Sequence, residues 1–518
     1  MVDRVATTGL VWMGLTTGCA QCHSHKYDAI SHTDYYRLMA LLNNADEPEI
    51  PVKTDEWIAR SHTIQARIDK LTSDLNDAFP PAAGSEPLET RRKKNLDQHF
   101  KHWLDETTKS ATLWTPIRPQ SYKSNLPRLE LLEDASVFSS GDITKRDSFR
   151  LMFDMNEIEG NVTAIRLEVL PDERLPAGGP GRAYYEGRKG DFFLSEFTAT
   201  QNGKPLKFSS ASQSYGKISI GSGSAAAKNV IDGNGSTGWS TAGREGEPHQ
   251  LVLNLAKPIS AAAGLKVELL FERHFAASLG RFRLSVTTTK TPPVATSLPN
   301  TIERLLSVGS TEWNAEERTQ VLNYFLSVTP KLADQRKEIE KLRSQLPSYP
   351  TTLVFQERPA DHPRETHRHH RGEYLQPKEE VSPGVPALFP PLPKGQPANR
   401  LTFARWLVSD RNPMASRLVV NRAWRSFFGE GLVRTNGDYG IQSEPPIHPE
   451  LLDWLSCEFM ENGWSLKSLH KQIVLSATYR QSSSQTDASQ SRDPENYWLS
   501  CAPRYRVDAE VVRDLLLK

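Results

Sequence analysis

Two cysteines and a histidine near the start of the chain form the pattern Cys-x-x-Cys-His, within GCAQCHSHKYDAI. We call Cys19, Cys22 and His23 the cysteine motif. At this spacing two thiols reach the two vinyl carbons on one edge of a haem, and the next imidazole faces the iron. The pattern therefore favours covalent haem c, with Cys19 and Cys22 as thioether attachment points and His23 as the proximal ligand.

The second axial ligand of such a haem is less well specified by the sequence. His25 follows His23 too closely to reach the opposite face of the ring. His32 and Met39 lie further along, on a predicted helix, and are the candidates. Met39 also falls on the apolar stripe of that helix, where a position in the core is the simpler interpretation.

Other interpretations of the motif remain open. A zinc ion takes four nitrogen or sulfur ligands, and the motif together with His25 supplies that number. Adjacent Cys22 and His23 would, however, make a cramped tetrahedron. A disulfide between Cys19 and Cys22 is geometrically possible, whereas a thioredoxin-like redox pair is disfavoured because no strand–helix–strand pattern surrounds Cys19.

Length and composition restrict the class of protein. The chain has 518 residues and a formal net charge of +1, which indicates several domains and gives no sign of a nucleic-acid partner. Its four cysteines are too few for a disulfide scaffold. No apolar run approaches the roughly 20 residues of a membrane-spanning helix, so no transmembrane segment is expected.

Hydrophobic periodicity predicts a multidomain α plus β protein, with helical N- and C-terminal domains flanking an antiparallel β-sandwich. Residues 1–110 have helical spacing and contain the cysteine motif, and residues 111–290 alternate as sandwich strands do. The later segments are a helical connector at 301–346, a Pro-rich linker at 347–397 and a helical domain at 398–518. Residues 367–370, with three histidines, read HRHH and are interpreted as solvated linker, since no carboxylate partner is evident.

Two residues are predicted to cap helices. Thr33 precedes a helix with an apolar stripe, and Ser465 precedes another, after the helix stop Asn-Gly-Trp. The stretch before the motif, MVDRVATTGLVWMGLTTG, has no clear cleavage site of an export signal. We interpret it as the interior of a domain and expect the chain to be a fragment that lacks an upstream part.

The N-terminal stretch VDRVATTGLVWMGLTTGCAQCHSHKYDAISHTDYYRLMALLNN resembles the cytochrome-like domain of large planctomycete proteins. The block from NRLTFARWLVS to ATYRQSS, with RYRVDAEVVRDLLL, resembles the C-terminal domain of unknown function in the same proteins, and RGEYLQPKEEVSPGVPALFPPLP is similar to their linker. The resemblance implies that the cysteine motif corresponds to the family's haem-type motif, and that His25 and Asp28 belong to the same run. It also implies a periplasmic or other extracytoplasmic location, because c-type haem is attached outside the cytoplasm.

A second resemblance concerns the predicted sandwich. The stretch VIDGNGSTGWS is similar to a loop of discoidin-type sandwiches, in which Asp-Gly-Asn and Thr-x-Trp-Ser recur. The resemblance implies glycan or surface binding and, in some relatives, a structural calcium ion. Asp232, Asn234 and Thr237 offer the hard oxygen ligands that calcium takes. Trp239 is predicted to pack in the core beside this turn, and a turn without a metal is the alternative to the calcium site.

Two classes of function follow from these observations. The first is an extracytoplasmic haem protein that transfers electrons to a redox partner of unknown identity, docked by the sandwich to a glycan or the cell envelope. The second is a polysaccharide-acting enzyme or an envelope scaffold, in which the cysteine motif holds a metal or a disulfide. No catalytic residue is assigned.

Overall fold

The computed structural model forms two compact units. Unit 1 consists of Met1–Asp46 and Phe355–Lys518, and unit 2 of Glu47–Val354. The structure describes residues 1–184, 188–219, 223–273, 277–346, 351–504 and 506–518, so positions 347–350 of the predicted linker lie outside it. Unit 1 therefore joins the two ends of the chain, and the helical segment 1–110 is shared between the units.

The helices of the described chain are distributed over both units. They are α1 (Val2–Thr8), α2 (His32–Asn43), α3 (Asp55–Ser73), α4 (Leu88–Thr107), α5 (Asn300–Val308), α6 (Ala315–Val328), α7 (Ala333–Ser344), α8 (Arg400–Leu407), α9 (Met414–Phe428), α10 (Pro449–Glu461), α11 (Leu466–Leu475), α12 (Ala477–Arg480), α13 (Asp487–Arg492) and α14 (Ala509–Leu517). Within the described residues, no helix is both long enough and apolar enough to cross a bilayer.

The strands are concentrated in unit 2. They are β1 (Ala45–Asp46), β2 (Glu49–Pro51), β3 (Thr115–Pro116), β4 (Pro119–Ser124), β5 (Arg128–Leu131), β6 (Val137–Ser140), β7 (Asp147–Phe153), β8 (Asn161–Val169), β9 (Glu196–Gln201), β10 (Lys204–Pro205), β11 (Phe208–Gln213), β12 (His249–Ser260), β13 (Leu265–Phe271), β14 (Arg281–Thr287), β15 (Thr351–Leu353), β16 (Gln356–Glu357), β17 (His367–His370) and β18 (Glu373–Glu380).

The middle of unit 2 is an antiparallel sandwich. One sheet has the strand order β10-β9-β13-β7-β4, and the other β11-β12-β8-β14-β6-β5, with β3 added beside β14. Alternate side chains of both sheets meet in one hydrophobic core, as expected for strands with one face buried. Strands β2 and β15, at the two ends of unit 2, pair antiparallel with Ile50 opposite Thr352. The predicted α plus β class, helical at both ends and β-rich between, is confirmed.

A buried charged pair fastens the sandwich to a helix of unit 2. Arg166 on β8 donates a 2.8 Å hydrogen bond to Glu303 on α5, and both side chains are almost completely buried. The Arg166 guanidinium also lies 4.8 Å from the ring centre of Trp114. Because an unpaired buried charge is costly, neither partner is readily replaced alone.

In unit 1 a first hydrophobic cluster joins the N-terminal segment to later parts of the chain. Tyr35 and Leu38 of α2 pack there with Val381 and with Phe403 and Trp406 of α8. A second cluster lies among α9, α10 and α11. The N-terminal residues therefore complete a core whose other members lie in the C-terminal segment.

Helix α2 begins before the predicted cap. Ser31, and not Thr33, is the N-cap: its Oγ accepts the N–H of Asp34 at 3.0 Å, and the Asp34 carboxylate accepts the N–H of Ser31 at 3.0 Å. This reciprocal capping box satisfies two backbone donors, and Thr33 cannot form it because Tyr36 stands three residues later. The other predicted cap, Ser465, is confirmed by its bond to the N–H of Ser468.

Candidate functional site

The two cysteines of the motif lie on a tight turn in unit 1. Cys19 is part of a 3₁₀ turn, Thr17–Gln21, and Cys22 follows it directly. Both residues are exposed and both carry free thiols. The turn therefore offers two reactive sulfur atoms at the spacing that the sequence analysis singled out.

The third member of the motif, His23, has one ring nitrogen available. Its Nδ1 lies 2.7 Å from the carbonyl oxygen of Ser24. Since a carbonyl only accepts hydrogen bonds, Nδ1 carries the proton, and the lone pair of the neutral ring is on Nε2. No residue in the described part of the chain forms a hydrogen bond with Nε2, and the side chain is exposed. This is the tautomer in which a histidine binds a metal through Nε2.

His25, in contrast, is held at both nitrogens. Its Nδ1 accepts the backbone N–H of Asp28 at 2.8 Å, so its Nε2 is the protonated nitrogen that faces Thr16 Oγ1 at 3.1 Å. Asp28 is 9% exposed, and its carboxylate accepts the N–H of Ile441 at 2.8 Å. His25 and Asp28 therefore position the loop that carries His23.

The two candidates for a second axial ligand have other partners. His32 donates from Nε2 to the carbonyl of Gln21 at 2.9 Å, and its Nδ1 accepts from Arg368 at 3.3 Å. Burial lowers the pKa of His32, which favours this neutral form. Met39 is 7% exposed within the first hydrophobic cluster. Either side chain would have to leave these contacts to reach an iron.

The histidine-rich stretch of the predicted linker forms a β-hairpin beside the motif. We call β17 and β18, His367–Glu380, the histidine hairpin. Its turn has positive φ angles of 49° at Arg371 and 78° at Gly372. A Cβ placed on Gly372 would lie 2.9 Å from Cys22 Sγ, so the turn is in close contact with that thiol.

Tyr36 connects the histidine hairpin to the motif. Its hydroxyl donates to the carbonyl of Gln21 at 3.1 Å. Its ring lies edge-on to His32 and to His369, with centroids 5.3 and 5.1 Å apart. Burial raises the pKa of Tyr36 and lowers the pKa of His369. Both residues are therefore neutral at pH 7.

A charged pair holds the strands of the hairpin together. Arg368 on β17 donates two hydrogen bonds, of 2.6 and 3.0 Å, to the carboxylate of Glu379 on β18. The guanidinium lowers the pKa of Glu379 to about 2. Because Arg368 also donates to His32, the pair fixes the hairpin against the start of α2. The sequence interpretation of this stretch as solvated linker missed the contact.

The described residues contain no group of three or more His, Cys, Asp or Glu side chains arranged to hold a metal ion. At the cysteine motif, both ring nitrogens of His25 are used in hydrogen bonds, so His25 does not add a metal ligand to the motif. The motif therefore offers two thiols and one imidazole nitrogen in its present arrangement.

The three predicted calcium ligands come together in unit 2. Asp232 accepts the N–H of Asn234 at 2.8 Å and the hydroxyl of Thr237 at 2.7 Å. Ser236 donates to Asn234 Oδ1 at 2.7 Å. We call residues 232–237 the Asp-Gly-Asn loop. Its side-chain oxygens face one another across a tight turn.

A fourth oxygen donor, missed by the sequence analysis, lies next to this loop. Glu196, the first residue of β9, is 9% exposed, and its Oε1 is buried without a hydrogen-bond partner in the described chain. Burial, followed by the neighbouring Asp232 carboxylate, raises the pKa of Glu196 to about 7. The alternating pattern of β9 marks Glu196 as a strand residue, but no local signal pairs it with the loop.

Trp239 occupies the core position that the sequence predicted for it. It is fully buried, and its ring packs edge-on against Phe192 with centroids 5.1 Å apart. Its indole N–H donates to the carbonyl of Tyr215 at 2.8 Å. A buried indole with its donor satisfied supports the loop and does not face a ligand.

Family comparisons match both ends of the chain. Residues 1–47 match PSCyt2, described as a protein of unknown function (DUF1549), and residues 399–518 match PSD1, described as a protein of unknown function (DUF1553). No curated protein and no solved structure matches the chain. Apart from Glu47, both matched ranges belong to unit 1, so the sandwich is inserted between them along the chain.

The contact between the histidine hairpin and Cys22 predicts a selective effect of Gly372→Ala. The new methyl group would lie 2.9 Å from Cys22 Sγ, at a φ of 78°. Gly395→Ala is the matched control, since its φ is 79° and no heavy atom lies within 4 Å. We expect Gly372→Ala to change the rate of Cys22 alkylation by iodoacetamide, measured by peptide mass spectrometry, and Gly395→Ala to leave it unchanged. Equal rates in both variants would contradict the contact.

The raised pKa of Glu196 predicts that unit 2 loses stability as the pH rises. Folded Glu196 titrates at about 7, whereas an unfolded glutamate titrates at about 4.3. Between these values the folded state binds a proton that the unfolded state lacks, so the stabilisation is complete at low pH and lost through pH 7. Glu196→Gln should reduce the fall of the urea unfolding midpoint between about pH 5 and 8. Glu312→Gln, at an exposed position, should leave that fall unchanged.

Proposed function

We propose that the chain is an extracytoplasmic c-type haem protein that transfers electrons, docked by its sandwich to a glycan or cell-envelope surface. The observation that carries the proposal is the pair of free, exposed thiols on one turn, followed by a histidine with a free Nε2. The resemblance of the N-terminal stretch to planctomycete cytochrome-like domains supports it. The match to a family of unknown function leaves the activity open.

The donor set at the motif fits a covalently attached haem. Cys19 and Cys22 would form the thioethers, and His23 would bind the iron through Nε2. When bound, the haem supplies a one-electron redox couple. The chain's own residues position these groups: the carbonyl of Ser24 fixes the His23 tautomer. A hydrogen bond to Nδ1–H also makes Nε2 a more basic ligand.

The surroundings of the motif are asymmetric. The histidine hairpin lies against Cys22 through Gly372, and Tyr36 packs against His369 of the same hairpin. These groups would restrict water around the attachment point of Cys22. Lower access of water and a lower local dielectric constant are the means by which a protein adjusts the potential of a haem.

The location of the protein follows from the same proposal. Covalent c-type haem is attached outside the cytoplasm, so we propose a periplasmic or other extracytoplasmic location. The similarity of the Asp-Gly-Asn loop to discoidin-type sandwiches supports a surface-docking role for unit 2. An electron-transfer function also requires a redox partner protein.

We also propose that the Asp-Gly-Asn loop binds calcium as a structural ion. Asp232 and Glu196 place two carboxyl groups side by side, and one Glu196 oxygen has no hydrogen-bond partner in the described chain. Asn234 and Thr237 add neutral oxygens beside them. A calcium ion would replace the proton that the two carboxyl groups otherwise retain.

Covalent haem attachment is tested by haem staining of a denaturing gel. The chain, exported with a signal sequence in cells that express cytochrome c maturation proteins, should give a stained band near 58.2 kDa. The double variant Cys19→Ser/Cys22→Ser should lose the stain, because both thioethers are removed. Cys457→Ser, at an exposed cysteine outside the motif, should retain it. Purified exported protein without haem stain and without a Soret band would contradict the haem proposal and favour the disulfide or metal alternative.

Calcium binding is tested by thermal unfolding with calcium chloride or with EGTA. We expect calcium to raise the midpoint of unit 2 more at pH 8 than at pH 5, because the carboxyl groups must be deprotonated to bind the ion. Asp232→Ala and Glu196→Gln should remove the increase, and Glu312→Gln should retain it. A midpoint that calcium leaves unchanged at pH 8 in the unaltered chain would exclude the ion.

A further inference from the structure

The proposed function leaves the second axial position of the haem without a ligand from the chain. His25 and His32 each use both ring nitrogens in hydrogen bonds, and Met39 lies in the first hydrophobic cluster. The axial ligands set the reduction potential of a haem, and the surroundings of the open position decide between electron transfer and the binding of a gas. The side chains that contact the motif from other elements therefore bear directly on what the site does.

The carbonyl oxygen of Gln21, which lies between the two cysteines in the sequence, is the point where other elements meet the motif. It accepts from His32 Nε2 at 2.9 Å and from the Tyr36 hydroxyl at 3.1 Å. A Cβ placed on Gly372 would lie 3.4 Å from the same oxygen and 2.9 Å from Cys22 Sγ. The turn that carries the cysteines is therefore in contact with both α2 and the histidine hairpin.

His369 of the histidine hairpin lies at this contact with both ring nitrogens free. Its ring packs edge-on against Tyr36, which in turn donates to Gln21. Within the described parts of the chain, neither ring nitrogen of His369 forms a hydrogen bond or an ion pair, and the side chain is half-buried. A neutral imidazole has one unprotonated nitrogen. Unlike His25 and His32, His369 therefore has a lone pair that it can offer to a metal ion.

The other histidines of β17 are less well placed. His370 is exposed and directly follows His369. Because successive side chains of a strand point to opposite faces, the His370 ring points away from Tyr36. His367 belongs to the residue pair of the hairpin that is furthest from its turn. His369 is thus the histidine of this strand that both faces α2 and lies close to the turn.

The two axial ligands of a haem bind the iron from opposite faces, so they are best supplied by separate elements. His23 lies on the loop that follows Cys22, whereas His369 lies on a hairpin whose strands are fastened by Arg368 and Glu379. In the described residues, no hydrogen bond, ion pair or ring contact joins the rings of His23 and His369. The chain therefore presents two histidines beside the motif on independent supports.

We propose that His369 is the second axial ligand of the haem attached at the cysteine motif, with His23 as the first. This inference rests on the proposed function, because it requires haem attachment at Cys19 and Cys22. Two histidine ligands occupy both axial positions, so the site would transfer electrons and would not bind a gas such as carbon monoxide. Because a methionine ligand raises the potential of a haem, a second histidine would keep it below that of a His–Met pair.

The spin state of the iron tests the assignment, measured by electron paramagnetic resonance and visible absorption on the exported full chain. We expect a low-spin ferric signal from the unaltered chain and its replacement by a high-spin signal in His369→Ala. Added imidazole should restore the low-spin signal of this variant, because free imidazole replaces the missing side chain. After reduction, His369→Ala should bind carbon monoxide and the unaltered chain should not.

His370→Ala is the matched control, since it removes an exposed imidazole from the adjacent position of the same strand. It should keep the low-spin signal and should not bind carbon monoxide. Haem staining and the pyridine haemochrome spectrum report covalent attachment whatever the axial ligands are. A stained His369→Ala band therefore shows that the variant was folded and loaded with haem.

Three results on stained protein would overturn the assignment of His369 while leaving haem attachment intact. The first is a high-spin signal or carbon monoxide binding in the unaltered chain, which would mean that the chain supplies no second ligand. The second is a low-spin signal in His369→Ala, which would place the ligand elsewhere, for example at His32 or Met39. The third is a high-spin His369→Ala that imidazole does not restore, which would indicate a disturbed site. An unaltered chain without stain would instead contradict the haem proposal itself, and this inference with it.

Discussion

The buried carboxylate of Asp28 ties the loop of the cysteine motif to the C-terminal segment of unit 1. The carboxylate accepts the N–H of Ile441, and the backbone N–H of Asp28 donates to His25 Nδ1. Gly440 leaves the necessary room, since a Cβ there would lie 2.5 Å from the carboxylate. Loss of the carboxylate would remove this link to Ile441 and would release the loop that presents His23.

Hydrogen bonding gives the histidines around the motif different roles. His25 and His32 each use both ring nitrogens to hold backbone or neighbouring side chains in place. His23 uses Nδ1 alone, on the adjacent carbonyl of Ser24. The chemistry available at the motif therefore depends on these hydrogen bonds as much as on the cysteine spacing. In unit 2, the Glu196 carboxyl group beside Asp232 likewise adds an oxygen donor to the Asp-Gly-Asn loop from outside the loop.

Much of the architecture could be predicted from the sequence, because hydrophobic periodicity reports local geometry. The alternation in residues 111–290 predicted a sandwich, and Trp239 was correctly assigned to its core. The histidine hairpin was not predicted, because its turn is Arg-Gly. Asn-Gly or Asp-Gly is the usual signal for positive φ at both turn positions. The hydrogen bond between Asp28 and Ile441 could not be predicted for another reason. The two residues lie 413 positions apart, and periodicity does not indicate which distant segments are in contact.

The pairing of β2 with β15 has a consequence for the order of folding. Unit 1 joins segments separated by Glu47–Val354, and closing a flexible loop of that length costs about 5 kcal/mol in chain entropy. Once unit 2 has folded, β2 and β15 hold its two ends side by side, and most of that entropy has already been lost. Unit 2 should therefore fold first, and its folding should bring together the two segments that form unit 1. During synthesis the histidine hairpin emerges roughly 17–70 s after the cysteines, so the thiol of Cys22 stays accessible throughout that interval.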